Sequence, residues 1–345
     1  CSPPEIFSWR KSGIDMKALV YTGALETQFR NEPVPVVGAG ESLLDISFCG
    51  ICGSDMHAWH GHDERRVPPL VLGHEAVGRV VEGPLHGQLV AINPLMTCGS
   101  CSFCASGNTH LCAAREMIGM RRPGGFAEQV SIGSDNLHLI TNDAALHDVA
   151  LSEPLACSVH AVRLLTHDYT ADKQQRMVIL GGGAIGLLCG LVARHYGYSD
   201  IWIAETNAHR RSILSDVIEA EIYNPLETGP EPHSVALLMD AVGSHHTRAA
   251  STSLISPGGR IVHIGLQNNE GGLDARFITL QEVSFQGTYC YRTDDFSEAL
   301  RLICEGHIGG QGWCDVRPMS DGGKAFEDIH NGLAMPKIIL ANTER

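Results

Sequence analysis

One short segment limits the fold more than any other. Arg176-Met177-Val178-Ile179-Leu180 reads as a buried strand and runs straight into Gly181-Gly182-Gly183-Ala184-Ile185-Gly186. A G-x-G-x-x-G pattern at a strand-to-helix junction is the phosphate-cradling turn of dinucleotide-binding βαβ units. Gly181 permits the tight turn, Gly183 lets a pyrophosphate approach the backbone, and Gly186 lets the next helix lie close on its strand. Ile185 belongs to the same turn, and an apolar helix expected over 187–196 directs its N-terminus at the phosphates. A second expected strand, 200–204, ends at Glu205. An acid there accepts hydrogen bonds from the adenosine ribose and repels a 2′-phosphate, which favours NAD; Arg210 and Arg211 close behind keep NADP open. Strands are expected again at 235–239 and, after a Pro257-Gly258-Gly259 turn, at 260–264. This alternation implies an α/β chain with a doubly wound parallel sheet.

Upstream, Cys98, Cys101, Cys104 and Cys112 form a C-x2-C-x2-C-x7-C run among glycines and serines. Four thiolates on so short a lobe can close tetrahedrally around zinc, and the metal would then supply folding energy that the lobe's few apolar residues do not. An iron–sulfur cluster is the competing reading of such spacing. A second, scattered set comprises Cys52, His74, Glu75 and Glu153. Cysteine, histidine and carboxylate together suit a catalytic zinc that keeps one position open. Singly each has a plainer explanation: a small core cysteine, a hydrogen-bonded histidine, a first-turn helix acid. Their weight comes from occurring together and alongside the glycine turn.

A chain of 345 residues can form two domains with separate cores. Its net charge of -14 argues against nucleic acid or an anionic membrane as partner, since both need a basic face. The uncharged run 177–193 is slightly short for a bilayer span and is studded with glycines, as befits a cofactor loop. Residues 1–15 are read as a tag, linker or extension ahead of a first strand beginning at Met16. They lack the apolar stretch of a secretory signal, so the expected location is the cytoplasm. Twelve cysteines without such a signal point to metal sites or free thiols before disulfides.

Gly-Ile-Cys-Gly-Ser-Asp at 50–55, Gly-His-Glu at 73–75, the four-cysteine lobe, Gly-Gly-Phe-Ala-Glu at 124–128, Glu-Pro-Leu at 153–155 and the glycine turn occur in one chain. In that combination, from Met16 onward, it resembles the zinc-dependent medium-chain dehydrogenase/reductase family. The resemblance is to the polyol branch of sorbitol, L-idonate and galactitol-phosphate dehydrogenases. It implies a mostly-β GroES-like catalytic domain over 16–155 with the zinc lobe at 98–112, a Rossmann domain over 156–288, and a return segment, 289–345, that completes the catalytic domain. The active site would lie in the cleft between the two domains.

The same resemblance implies two zinc ions per chain and NAD. Cys52, His74 and Glu153 would hold the catalytic zinc, with Glu75 beside it and in some relatives exchanging onto it, the carboxylate binding directly or through water. Cys98, Cys101, Cys104 and Cys112 would hold the structural one. Asp55 would orient His74 and Lys337 would pair with Glu75. Ser54 would take the alcohol proton and pass it through the nicotinamide ribose to His57. The expected reaction is reversible oxidation of a secondary alcohol of a polyol or sugar acid by a homodimer or homotetramer, without nucleic acid or membrane. Sugar phosphates and amino alcohols such as threonine are alternative substrates, and a catalytically silent NAD-binding relative is the alternative outside enzymes. Cys290 and Tyr291 stand where sorbitol dehydrogenases carry an Arg-Tyr pair, and Ala58 where they carry an aromatic, which speaks against sorbitol itself. Arg65, Arg66, Arg121 and Arg122 are either anion-binding groups for the substrate or ordinary surface charges.

Overall fold

The computed structural model describes residues 15–342. Of the expected leading segment only Asp15 falls within that range, and it opens the first strand, Asp15–Gly23. The chain divides into two compact units. One contains residues 15–153, Leu300–Gly309 and residues 314–342; the other contains Pro154–Ala299 and Gly310–Trp313.

The first unit is built on antiparallel strands. Its largest sheet runs in the order Leu137–Leu139, Leu89–Ile92, Glu75–Glu82, Glu41–Gly50, Lys337–Ala341, Cys314–Pro318, with Gln129–Gly133 also paired to Glu41–Gly50. A smaller sheet sets Asp15–Gly23 between Glu26–Pro33 and Leu70–Val71. Alternating apolar residues such as Leu44, Ile46, Val80 and Val90 fill the space between strands and helices, giving one continuous core.

The second unit is a six-stranded parallel sheet. Its order is Glu221–Tyr223, Ile201–Ala204, Met177–Leu180, Val235–Asp240, Ile255–His263, Ser284–Gly287. The strands buried at its centre read as unbroken apolar runs, as both faces are covered. The chain winds outward from Met177–Leu180 in one direction and then in the other, so the strand order reverses beside that strand. Ligands of open α/β sheets bind at the carboxyl end of such a switch point, and the glycine turn is there.

Two local expectations differ from the structure. The anticipated Pro257-Gly258-Gly259 turn is a bulge inside one strand, where pairing jumps from Val235↔Ile255 to Leu237↔Arg260. Gly258 absorbs the extra residues with φ +70. The chain also re-enters the first unit at Leu300 rather than at 289. The first turn of the helix Thr293–Cys304 is held in the second unit by buried Asp295. That carboxylate meets His160 Nδ1 at 2.8 Å, Arg163 Nη1 at 2.6 Å and the Arg292 N–H at 2.9 Å.

Candidate active site

Sheet register assembles the first site. Glu75 faces Gly50 across the pair formed by Glu41–Gly50 and Glu75–Glu82. Lys337 opens the strand on the other side of Gly50, where Ile339 is the partner of Gly50. Cys52 then caps the N-terminus of the helix Gly53–Trp59. The ligand-type atoms of Cys52, His74 and Glu75 all lie within 4.8 Å of one another, with the histidine and glutamate buried.

Charge is closely managed around this set. Lys337 Nζ forms an ion pair with Glu75 Oε2 and donates to the Ile51 carbonyl at 2.9 Å. Glu75 Oε1 is buried with no hydrogen-bond partner. A Cβ on Gly50 would overlap the Glu75 carboxylate, so only glycine leaves that group its place. Asp55 accepts the Cys52 N–H at 3.0 Å and presents its other oxygen to His74 Nδ1 at 3.5 Å, an electrostatic rather than an aligned contact. Burial pulls the His74 imidazole down, but Asp55 and Cys52 outweigh it and hold His74 protonated well above its ordinary range. The pocket therefore calls for positive charge at this point. A thiol, an imidazole and an unpartnered carboxylate oxygen are the mixed donors that zinc takes, so the residues fit the metal.

Glu153 departs from the expected ligand trio. It is buried on the first turn of the helix Ser152–Leu165 but is not one of the three residues whose donors converge. Glu75 takes that place because it follows His74 directly and is in register with Gly50.

Ser54 sits beside the set, its N–H 3.5 Å from Cys52 Sγ. Its hydroxyl accepts from Arg66 Nη2 at 3.2 Å, a contact that sequence spacing gives no means of anticipating. The Arg66 side chain is fully buried, donating from Nε to the Gly119 carbonyl at 2.9 Å and from Nη1 to Asp63 at 2.5 Å. Although burial pushes the Asp63 carboxyl up, hydrogen bonds from Arg65 and the Arg66 charge hold it at about 2. His57 is half-buried, and burial together with the nearby His62 holds its imidazole below the usual histidine range. Arg122 is paired with Glu41 at 2.5 Å, so its charge is neutralised inside the unit. Tyr291 is buried against Phe296, with ring centroids 5.7 Å apart.

The four-cysteine lobe closes at its base through the pair Leu95–Met96 and Glu116–Met117. Within it the Sγ atoms of Cys98 and Cys112 are 3.5 Å apart, Cys101 and Cys104 3.6 Å, and Cys98 and Cys104 3.9 Å. A zinc tetrahedron with bonds of about 2.3 Å has edges of about 3.8 Å. A multi-iron cluster interposes its own irons and sulfides and needs thiolates further apart, so the spacing favours one ion. Backbone N–H groups of Cys98 and Cys101 point at sulfur, at 3.5 and 3.4 Å. Hydrogen bonds from the Ser100 and Cys101 backbone and the Ser100 hydroxyl pull the Cys98 thiol down to about 6, while burial and Cys101 push Cys104 up to about 11. Backbone donors favour thiolate at Cys98, and a bound cation would let all four thiolates form.

In the second unit the glycine turn has an open face. Gly181 adopts φ +101, a Cβ on Gly186 would overlap the Gly181 carbonyl, and nothing lies within 4 Å of a Cβ built on Gly183. Gly183 also caps the helix Ala184–His195, which starts before the expected residue 187 and includes Ile185. No side chain caps that N-terminus, so its N–H groups face the open space, as a dinucleotide phosphate requires. Glu205 is buried at the end of Ile201–Ala204, accepting the Gly182 N–H at 3.1 Å and the Asn207 N–H at 2.8 Å. Arg210 Nη1 is 3.9 Å from its carboxylate, and Arg211 is bonded to the carbonyls of Glu205 and Thr206.

Comparison with known proteins matches this arrangement. Residues 38–142 match the alcohol dehydrogenase GroES-like domain family, and residues 184–305 the zinc-binding dehydrogenase family. A 2-dehydro-3-deoxy-L-galactonate 5-dehydrogenase of Pseudoalteromonas atlantica is 30% identical over 89% of this chain and 93% of its own. The chain belongs to the zinc-dependent medium-chain alcohol dehydrogenase family. This dehydrogenase is thus an oxidoreductase with a GroES-like and a Rossmann domain. It is also similar to an L-galactonate-5-dehydrogenase of Escherichia coli, 30% identical over 85% of this chain and 88% of that one. A solved zinc-binding dehydrogenase of Sinorhizobium meliloti, bound to NADP, superposes with a TM-score of 0.84. It is 27% identical and covers 95% of this chain and 99% of its own. Among the described residues, no helix of the dehydrogenase is long and apolar enough to cross a membrane.

Proposed function

We propose that this dehydrogenase reversibly oxidises a secondary alcohol of a polyol or sugar acid to the ketone, with NAD as hydride acceptor. The observation that carries the reading is the buried convergence of Cys52, His74 and Glu75 beside Ser54. Two relatives named for galactonate-derived acids support the substrate class. When bound, zinc supplies a Lewis acid that stabilises the substrate's conjugate base near neutral pH, and the dinucleotide supplies the hydride acceptor.

The chain's own residues divide the remaining tasks. Cys52, His74 and Glu75 offer the donors; Asp55 on the Nδ1 side of His74 fixes the ring so that its other nitrogen serves as ligand. Lys337 holds Glu75 in place through their ion pair. The Ser54 hydroxyl, accepting one hydrogen bond from Arg66, retains a second lone pair for the alcohol proton and its own hydrogen to pass on. That is the requirement for a relay to His57. Glu205 repels a 2′-phosphate, supporting NAD, while Arg210 beside it is the cation that would otherwise receive one.

The edge strand Ser284–Gly287 is exposed at every residue, Phe285 included, which supports pairing with a second copy as a homodimer or homotetramer. A panel of polyols, aldonates and their phosphates, followed by NADH and NADPH absorbance, tests the proposal. The expected outcome is turnover of a polyol or aldonate, faster with NAD, by protein carrying about two zinc ions per chain. Zinc-loaded protein that oxidises none of them, or that turns over only phosphorylated substrates, overturns it.

A further inference from the structure

His60, His62 and His330 form a cluster that neither zinc set includes. His60 ends the helix Gly53–Trp59, and His330 is the last residue of the helix Gly322–His330. The helices meet through Trp59 and Phe326, whose ring centroids are 6.0 Å apart. The Trp59 ring also stands edge-on to both histidines, at 5.3 and 5.6 Å, so an apolar wall backs the pair. His60 Nε2 lies 3.0 Å from His330 Nδ1. His62 follows after Gly61, which turns the chain with φ +76, and its ring centroid is 5.8 Å from that of His60. His330 and His62 are exposed and His60 is partly so.

Two imidazole nitrogens this close need either a shared proton or a shared ion. As a hydrogen bond the pair is one donor and one acceptor, so the two rings cannot both be protonated at those atoms. Burial and the charges of His330, His62 and His57 hold His60 below the ordinary histidine range. A neutral ring is the ligating form. Nitrogens bound at about 2.0–2.1 Å to one ion stand roughly 2.9 Å apart at a right angle and roughly 3.4 Å apart in a tetrahedron. The observed 3.0 Å lies inside that interval. The nearest acid in the sequence, Asp63, is already paired with Arg65 and Arg66. An imidazole-only donor set selects zinc, nickel or copper over calcium or magnesium.

We propose that His60 and His330 form a two-histidine peripheral site for a borderline divalent cation such as zinc, its remaining positions filled by water, additional to the two zinc sites above. The site stands whether or not His57 relays protons and whatever the alcohol substrate is. The full-length, zinc-loaded protein is dialysed against rising concentrations of buffered free zinc, and bound zinc is counted by mass spectrometry. The expected result is a third equivalent at higher free zinc, its affinity lowered about tenfold or more in His330→Gln and separately in His60→Gln. Exposed His86 serves as control, and His86→Gln keeps the third equivalent. A plateau at two equivalents overturns the proposal. So does a third equivalent that survives both His60→Gln and His330→Gln, or one lost only in His62→Gln.

Discussion

The four-cysteine lobe and the Cys52–His74–Glu75 set are suited to the same ion and are built by opposite means. The lobe draws its donors from fifteen consecutive residues, 98–112, on short helical turns and the loops between them, with few apolar residues. All four donors are thiols, and backbone N–H groups of Cys98 and Cys101 do the orienting. The other set draws its donors from a helix cap and a strand start that only sheet pairing brings together. It mixes three donor types, is buried, and carries its own counter-charges in Lys337 and Asp55. A metal that organises its surroundings can be bound by a flexible, uniform loop. A metal that must keep a free position has to be met by a scaffold that is rigid beforehand.

The largest effect is expected in the lobe. Cys104→Ser removes a ligand from a region whose folding energy comes from the metal, on the order of 10 kcal/mol in small structural zinc sites. Hydrogen exchange across residues 98–112 should become unprotected and about one zinc per chain should be lost. Slow exchange in that variant would show that the lobe holds its shape without metal, and the contrast would disappear. At the buried set, Cys52→Ala should lower kcat about 10³-fold, the several kcal/mol of a Lewis acid at 1.36 kcal/mol per decade. The thermal melt and the lobe zinc should stay unchanged; a coincident drop in melting temperature would mean that this metal, too, folds its surroundings.

A smaller loss is expected from the counter-charge. Lys337→Met strands a buried carboxylate and should reduce unfolding free energy by about 3 kcal/mol in urea titrations. Adding Glu75→Gln to the same chain should restore most of that stability. A silent Lys337→Met would show that this ion pair adds nothing to stability. The smallest effect concerns Asp63. Its folded pKa of about 2 lies below the ordinary 3.8, so its contribution is complete above that ordinary value and is lost as pH falls through about 2. Urea unfolding of wild type and Asp63→Asn should therefore differ by a fraction of a kcal/mol near pH 6 and converge toward pH 2, because the group is partly exposed. A gap independent of pH would assign the effect to packing rather than to charge.

These two regions also show what a sequence makes legible. Cys98, Cys101, Cys104 and Cys112 declare themselves by spacing, because their contacts are local. The glycine turn does so as well, since the positive φ of Gly181 and the contact a Cβ on Gly186 would make with the Gly181 carbonyl are both demands local to the turn. Cys52, His74 and Glu75 carry no such mark: their types suit a metal, but only their company with the glycine turn and a family pattern joins them, not their spacing. That pattern put Glu153 in the trio, where register put Glu75. From sequence Arg66 is only a surface or anion-binding charge. Its hydrogen bond to Ser54 and its burial depend on Gly119 and Asp63 meeting it in space, which no periodicity encodes. The bulge at Gly258 escaped for a similar reason. Pro-Gly-Gly favours a turn locally, but pairing with Val235–Asp240 on both sides of it keeps the strand continuous.

Gly50 bears on how such an enzyme can be altered. Its missing side chain is the socket into which a neighbouring strand's acid is fitted, with Lys337 closing the far wall. Randomised libraries intended to change the metal preference gain nothing from that codon, since each replacement evicts the acid before it can alter the ion.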